Sequence, residues 1–318
     1  LGKFFSTEKA DDFRQLVSRW IEDAIQIAQD SNQSSDDRVN AIQTLQFADF
    51  DASTIQSLFI GLLQIRQPVS VQMAAIATLD RIDSDTVFDV LLKSWMGLSP
   101  YLRSRAMESL LSRQSWIVRT LDAYEAGTLV SGIFDNRYLS RLVTNPDPSI
   151  QVRARNLRPK VTTPKKQVLI VQYLDALKTP GSRIRGKEVF KKQCAACHTF
   201  GKLGNLIGGD LTDLYKRPAE EIITDILEPN RKVEPPFMSY VLTTDRGRIW
   251  NGMIMDDTEN SISLRRVDGS EVKLLRLQIE SLRSTGLSFM PEGFENQIDI
   301  RQMTDLVSFL TQTLDPKK

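Results

Sequence analysis

The first half of the chain has the apolar spacing of amphipathic helices. Apolar residues recur every three or four positions across residues 13–28, and the strict alternation typical of strands is absent up to about residue 160. New helices are predicted after short turns rich in Ser, Asp and Pro. These turns lie at residues 34–37, 67–70, 98–100 and 145–148. The pattern therefore predicts a helical N-terminal region.

A small residue returns at the same place in three of these helices. Ala41, Ala75 and Ala106 are separated by steps of 34 and 31 residues. This spacing resembles HEAT-type repeats, in which helix pairs stack and a small residue lets the next helix approach closely. The alternative is an irregular helical bundle with coincidental spacing.

A domain boundary is predicted after one more helix at residues 168–177. Residues 179–182 read Thr-Pro-Gly-Ser, which ends the helical spacing. We therefore expect two domains, residues 1–178 and residues 179–318.

The second domain is expected to combine helices with a small sheet. From about residue 239 to 283, β-rich runs alternate with turns, and Asp268-Gly269 is a strong hairpin signal. We expect three or four antiparallel strands there. Farther on, Asp299 and Gln302 have the spacing of a capping box at the start of a last amphipathic helix. The fold class is therefore mainly α, with an inserted antiparallel sheet.

Composition excludes several classes of function. With 41 basic and 40 acidic residues the net charge is +1, which gives no bulk attraction to nucleic acid or anionic lipid. No run approaches the ~18 apolar residues of a membrane span. One His and two Cys exclude a multi-histidine metal site, a bis-histidine haem and a disulfide-rich scaffold.

These three scarce residues form one motif, Cys194-Ala195-Ala196-Cys197-His198. Cys-x-x-Cys-His is the spacing of covalent haem c attachment: two thiols bind the porphyrin edge and the adjacent His binds the iron. The alternatives are a redox Cys-x-x-Cys and half of a zinc site. A redox motif usually follows a strand, whereas an amphipathic helix is predicted here, and a zinc site would need another Cys or His.

The flanks of the motif resemble the start of a class I c-type cytochrome domain. Gly186 and Phe190 precede the motif in the predicted helix. In the resembled fold a small and an aromatic residue of this helix pack across the C-terminal helix beside the haem. The resemblance thus includes Phe190 in the haem-binding residues.

The sixth iron ligand must come from another residue type, since no second His exists. The methionines after the motif are Met238, Met253, Met255, Met290 and Met303. Class I cytochromes present a distal Met from a loop ahead of the last helix, which is where Met290 lies. Pro291 restricts Met290 to extended conformations. We expect His198 and Met290 to bind the metal, with Met238 as the alternative to Met290.

Four segments together resemble the haem-binding domain of PVC-type (planctomycete and verrucomicrobial) c-type cytochromes. They are the Cys194–His198 motif with its helix, Gly-Gly-Asp-Leu-Thr at 208–212, Ile-Leu-Glu-Pro-Asn at 226–230, and Ser-Phe-Met-Pro-Glu-Gly at 288–293. The likeness extends over about residues 115–318. It implies one covalent haem c, export to the periplasm, a β insertion, and frequent fusion to a dehydrogenase-like propeller.

One departure from the family concerns Gly209, which stands where Pro is usual. In class I cytochromes that carbonyl accepts the Nδ1–H of the haem-ligating His. Gly209 keeps the carbonyl but lacks the fixed φ of Pro, so we expect a bond that is less preorganised.

The preferred function is electron transfer through one haem c, in a chain that is not itself an enzyme but a relay module of a larger dehydrogenase-like protein. The expected partner is a redox protein or a fused dehydrogenase domain, with no nucleic acid and no membrane span. The alternatives are a haem enzyme or ligand-binding protein with a labile sixth ligand, and an interaction scaffold in which the haem is secondary.

Overall fold

The computed structural model describes residues 7–129, 134, 136–157 and 164–312. The helices within this part are α1 (Thr7–Gln29), α2 (Ser35–Thr44), α3 (Ala52–Leu62), α4 (Val69–Leu79), α5 (Thr86–Ser94), α6 (Pro100–Leu110), α7 (Gln114–Glu125), α8 (Asn136–Val143), α9 (Pro148–Asn156), α10 (Pro164–Ala176), α11 (Arg183–Gln193), α12 (Ala219–Leu227) and α13 (Ile300–Leu310). The strands are β1 (Thr199–Phe200), β2 (Leu203–Gly204), β3 (Met238–Thr244), β4 (Ile249–Asp257), β5 (Ser261–Arg265), β6 (Glu271–Leu275) and β7 (Ile279–Ser288). The mainly helical fold with small sheets is confirmed.

Contacts between Cα atoms divide the chain into two compact units. The first comprises Leu1–Leu129 and Ser239–Thr285, and the second comprises Val130–Met238 and Gly286–Lys318, as far as these ranges are described. This division differs from the expected boundary at residues 178–179. The inserted sheet joins the N-terminal helices, and α8 to α10 join the unit that contains the cysteine motif.

Helices of the first unit stack in two series. The odd-numbered helices α1, α3 and α5 pack in succession, and so do α2, α4 and α6. Ala41, Ala75 and Ala106 are buried in the second series. A side chain smaller than a leucine at these places allows neighbouring helices to approach closely.

A buried polar residue lies three positions before each of these alanines. It donates a hydrogen bond to a carbonyl at the end of the preceding helix, where carbonyls have no intrahelical partner. The three bonds are Arg38 Nε to Ala28 O at 2.9 Å, Gln72 Nε2 to Leu63 O at 2.9 Å, and Arg103 Nε to Trp95 O at 3.1 Å. The structure thus adds a second recurring position, which sequence reasoning missed, to the recurring alanine.

The sheet of the first unit has five strands in the order β6-β5-β4-β3-β7. The expectation of three or four strands missed β7, because Ile279–Ser288 lacks clean apolar alternation and contains Gly286. The predicted hairpin at Asp268-Gly269 is confirmed: it joins β5 to β6, and Gly269 has a φ of 81° that favours glycine.

Arg276 explains why this sheet belongs to the helical unit. Its side chain is only 2% exposed, between β6 and β7. It forms an ion pair with Asp257 and donates to Thr258 O and Ile65 O, both at 2.8 Å. A buried guanidinium needs all of these partners, and one of them lies at the end of the α3 region. Water does not reach the hydrogen-bond donors of this guanidinium, so its protein partners must accept from them. The sheet is therefore bound to the helices through Arg276.

In the second unit, α11 crosses α13 at very close range. A Cβ on Gly186 would lie 1.9 Å from the backbone oxygen of Asp305, so only glycine fits. Beside the crossing, the ring of Phe309 lies 5.7 Å from that of Phe190 and 4.7 Å from that of Phe200. The expected packing of a small and an aromatic residue against the last helix is present.

The carboxylate of Asp305 strengthens this crossing. It is buried, accepts from Ser182 N at 2.6 Å, and pairs with the guanidinium of Arg185. The predicted capping box of α13 is also confirmed: Gln302 N donates to Asp299 Oδ1 at 2.8 Å, and Asp299 N donates to Gln302 Oε1 at 3.0 Å. The start of α11 is thus bound to α13, and the start of α13 is capped by its own residues.

Among the described helices, none combines the length and the apolar character that crossing a bilayer requires.

Candidate functional site

The cysteine motif continues α11 as a further helical turn. Cys194 N donates to Phe190 O at 2.8 Å, and Cys197 N and His198 N both donate to Cys194 O, at 3.0 and 2.9 Å. Phe190 is fully buried in the core of the second unit. The two thiols and the imidazole are therefore carried by a turn whose backbone is fixed by a packed helix.

Cys194 and Cys197 form no disulfide with each other and are partly buried. Burial, with a smaller contribution from Cys197, raises the pKa of Cys194 to about 12, and burial also raises the pKa of Cys197. Cys194 lies at the C-terminal end of α11, where the helix dipole disfavours an anion. Redox-active Cys-x-x-Cys sites have lowered thiol pKa values. The environment of these cysteines is thus opposite to that of a thiol redox centre.

His198 has a defined tautomer. Its Nδ1 lies 2.8 Å from the carbonyl oxygen of Gly209. A carbonyl only accepts, so Nδ1 carries the proton and donates it in this bond. The lone pair of the imidazole is then on Nε2, which is the arrangement that a metal-binding histidine needs. The expected bond to Gly209 is present even though glycine replaces the usual proline.

Gly208 lies flat against the imidazole. A Cβ at this position would lie 2.6 Å from His198 Cε1 and 2.9 Å from Nδ1, closer than real Cβ contacts. Hydrogen bonds hold the loop there: Gly208 N donates to Cys197 O at 2.6 Å, and Leu211 N donates to Thr199 O at 2.8 Å. Sequence reasoning noted the glycine pair but missed the role of Gly208 as a wall of the histidine site.

Met290 lies in the loop between β7 and α13. It is partly buried and packs against the same core as Cys194. Pro291, the next residue, is exposed. Ser288 Oγ accepts from Met290 N at 3.1 Å, and Phe237 O accepts from Phe289 N at 2.8 Å. The loop that carries the thioether is therefore held by backbone bonds on its N-terminal side.

The other methionines have different surroundings. Met303 is fully buried in the core on α13, as expected of a packing residue. Met238 is buried at the start of β3. Met253 and Met255 belong to the first unit, and a register shift between Ile254 and Asp256 leaves Met253 buried and Met255 40% exposed.

The residues of this site fit a covalently bound haem c. Two thiols, an imidazole with its Nε2 lone pair available, and a glycine that leaves no side chain against the imidazole lie within one short segment. By contrast, the described part of the chain contains no group of three or more His, Cys, Asp or Glu residues placed to hold a metal ion. A zinc site built on these cysteines therefore has no further ligands within that part.

Asn230 is a second residue whose role sequence reasoning missed. It was noted only as part of a motif, yet its side chain contacts both flanks of Met290. Ser288 N donates to Asn230 Oδ1 at 2.7 Å, and Asn230 Nδ2 donates to Glu292 Oε1 at 2.9 Å. No local signal marks such contacts, because the partners are about sixty residues away in sequence.

Comparison with known proteins agrees with this geometry. The family model described as Cytochrome c matches residues 184–273, which include α11 except its first residue, the cysteine motif and the loop around Gly209. No curated protein matches the chain. The match supports a c-type cytochrome domain in this part of the chain, and it ends before Met290.

Proposed function

We propose that this chain is an electron-transfer module with a single haem c, which Cys194 and Cys197 would hold through thioether bonds and whose iron His198 and Met290 would bind. The observation that carries the proposal is the bond between His198 Nδ1 and Gly209 O, beside Gly208, where any Cβ would press against the imidazole. This arrangement prepares Nε2 for a metal, and the two thiols lie in the same turn.

Each residue has a distinct task in this proposal. Gly209 fixes the ring of His198 and, by accepting its proton, makes Nε2 a stronger donor. Haem c supplies a one-electron iron couple when bound. The thioether of Met290 favours the reduced iron and raises the potential relative to a second histidine. Burial of the motif against Phe190 limits movement of these groups, which favours rapid electron transfer.

Electron transfer is favoured over enzyme chemistry because the only histidine of the chain is already engaged. His198 donates through Nδ1, and its Nε2 is assigned to the iron. No histidine remains to act as a general acid or base. A labile sixth position would instead support ligand binding or catalysis. The spectrum of the oxidised protein distinguishes an open sixth position from one occupied by a methionine.

We further propose that the protein is an exported, PVC-type cytochrome that acts as a relay in a larger dehydrogenase-like protein, or with a separate redox partner. c-Type cytochrome domains are typically exported, which supports a periplasmic location. We also propose that the N-terminal helices, expected over residues 1–178, form a degenerate HEAT-like repeat. Its support is the recurring pair of a buried Ala and a buried capping side chain three residues earlier.

The test is the spectrum of the protein produced with cytochrome c maturation machinery. We expect one covalent haem per chain and a low-spin oxidised form with the weak far-red band of Met–iron ligation. Met290→Ala should abolish this band, whereas the matched variant Met303→Ala, in the core, should keep it. Loss of the band in Met238→Ala but not in Met290→Ala would overturn the ligand assignment.

Two further outcomes would overturn the function itself. A high-spin oxidised protein that binds cyanide or CO readily would indicate an open sixth position and the ligand-binding alternative. One zinc per chain and no haem would overturn the haem proposal.

A further inference from the structure

The amide of Asn230 bridges the two sides of the Met290 loop. Its Oδ1 accepts from Ser288 N at 2.7 Å, two residues before Met290, and its Nδ2 donates to Glu292 Oε1 at 2.9 Å, two residues after. The orientation of the amide is fixed by its partners: a backbone N–H only donates, and an ionised carboxylate only accepts. One side chain thus closes the loop around the thioether.

Two backbone N–H groups hold the loop on the N-terminal side of Met290. Phe289 N donates to Phe237 O, and Met290 N donates to Ser288 Oγ. Beyond Met290, Pro291 has no N–H to donate. On that side the next backbone bond is in the turn where Asn296 N donates to Gly293 O at 3.0 Å. The bond from Asn230 to Glu292 adds a restraint between Met290 and this turn.

Asn230 is itself held by the core. It follows α12, whose last residue, Leu227, is fully buried. In the turn after α12, Glu228 N donates to Thr224 O at 2.8 Å, and Arg231 N donates to Glu228 O at 3.0 Å. Arg231 also pairs with Asp225 at 2.9 Å. The side-chain amide of Asn230 therefore projects from a turn that is held by its own hydrogen bonds, apart from those to the Met290 loop.

We propose that Asn230 is a positioning residue for the sixth ligand: it holds the Met290 loop so that the thioether stays on the iron. The inference rests on the proposed function, in which Met290 binds the iron. It adds that the strength of this ligation depends on the two hydrogen bonds of one amide. Without them, the Met290 loop can move away from the iron with fewer contacts to break.

The experiment measures competition between Met290 and imidazole for the oxidised iron. Asn230→Ala removes both bonds and should raise the apparent imidazole affinity about tenfold or more, because each hydrogen bond contributes a factor of about two to ten to the closed loop and the two factors multiply. Glu292→Ala removes one bond and should have a smaller effect. Glu292→Gln keeps a carbonyl acceptor at that place and is the matched control, with affinity close to wild type.

A double variant provides a rescue. Asn230→Asp keeps the acceptor for Ser288 N but places a second carboxylate against Glu292, so imidazole should bind more tightly than in wild type. Combined with Glu292→Gln, the new carboxylate accepts from the new amide, and the affinity should return toward wild type. A purely structural role would lower the unfolding midpoint and leave the imidazole affinity unchanged.

The outcomes distinguish failure of the proposed function from failure of the positioning role of Asn230. If Met290→Ala keeps the far-red band, the proposed function fails. If Met290→Ala loses the band but Asn230→Ala binds imidazole like wild type, the positioning role alone is refuted. If Asn230→Ala takes up no haem, the Glu292 variants and the double variant Asn230→Asp with Glu292→Gln provide the test. The proposal is refuted if the imidazole affinity of the double variant does not return toward wild type.

Discussion

Gly186 offers a sharp test of how the haem-binding unit is packed. A Cβ at this position would lie 1.9 Å from Asp305 O and 2.8 Å from Phe309 Cβ. An ordinary contact between carbon and oxygen is about 3.3 Å, so Gly186→Ala requires α11 and α13 to separate by about 1.4 Å. The neighbouring atom belongs to the backbone, which cannot rotate away as a side chain can.

The expected change in stability follows from two opposing contributions. Overpacking against backbone should cost about 3 kcal/mol, at the upper end of its usual range. Replacing glycine by alanine inside a helix returns about 1 kcal/mol. The net loss in the free energy of unfolding should therefore be about 2 kcal/mol. Separation of the helices would also disturb the bonds of Asp305 to Ser182 and Arg185.

The assay uses the position of the natural probes. All four tryptophans lie in the first unit, so their fluorescence follows that unit, while the Soret band of the holoprotein follows the second. In urea, Gly186→Ala should lower the midpoint seen by the Soret band. Gly61→Ala is the control, because Gly61 lies within α3 and no atom lies within 4 Å of the new Cβ. Its free energy of unfolding should rise by up to about 1 kcal/mol.

A Soret midpoint for Gly186→Ala equal to or above that of the wild type would refute this reasoning. It would mean that the two helices do not cross as closely as the structure places them.

Two other predictions concern the histidine site and the interior of the first unit. Gly208→Ala should displace the imidazole of His198 and reduce the haem bound per chain, measured as the pyridine haemochrome. Gly209→Ala is the control, because its new Cβ would meet only Phe237, at 3.8 Å, and it should keep the haem. Equal haem yields in the two variants would contradict the close contact of Gly208 with the imidazole. Burial raises the pKa of Tyr240 from 10.0 to about 12, so the unfolded state loses its proton first and stability falls as pH rises above 10. Between pH 9 and 11 the wild type should lose about 1 kcal/mol more in its free energy of unfolding than Tyr240→Phe, measured by tryptophan fluorescence, and parallel losses would contradict the burial of this hydroxyl.

Features that depend on neighbours in sequence were predictable from sequence. The motif from Cys194 to His198 needs only one helical turn, and the capping box of Asp299 and Gln302 spans four residues. The hairpin at Asp268-Gly269 needs a backbone that glycine supplies by itself. In each case the partners meet as soon as the local structure forms, so residue types and spacing are sufficient evidence.

The repeat and the sheet were predicted only in part. Recurring alanines indicated stacked helices, but the capping position is Arg at 38 and 103 and Gln at 72, so its recurrence was not visible as a repeated residue type. The strand Ile279–Ser288 has irregular apolar spacing, and it forms because β3 offers an edge to pair with. Edge pairing is a property of the sheet rather than of the strand.

Tertiary structure alone decided which parts of the chain belong together. Arg276 binds the sheet to the helical unit through Ile65 O, 211 residues away in sequence, because a buried guanidinium requires every partner within reach. Asn230 meets the Met290 loop across about sixty residues. The sequence by itself determined the chemistry, with two thiols and one imidazole in a single turn. The fold decided what surrounds that chemistry, since close approach and buried hydrogen bonds exist only once distant segments have packed.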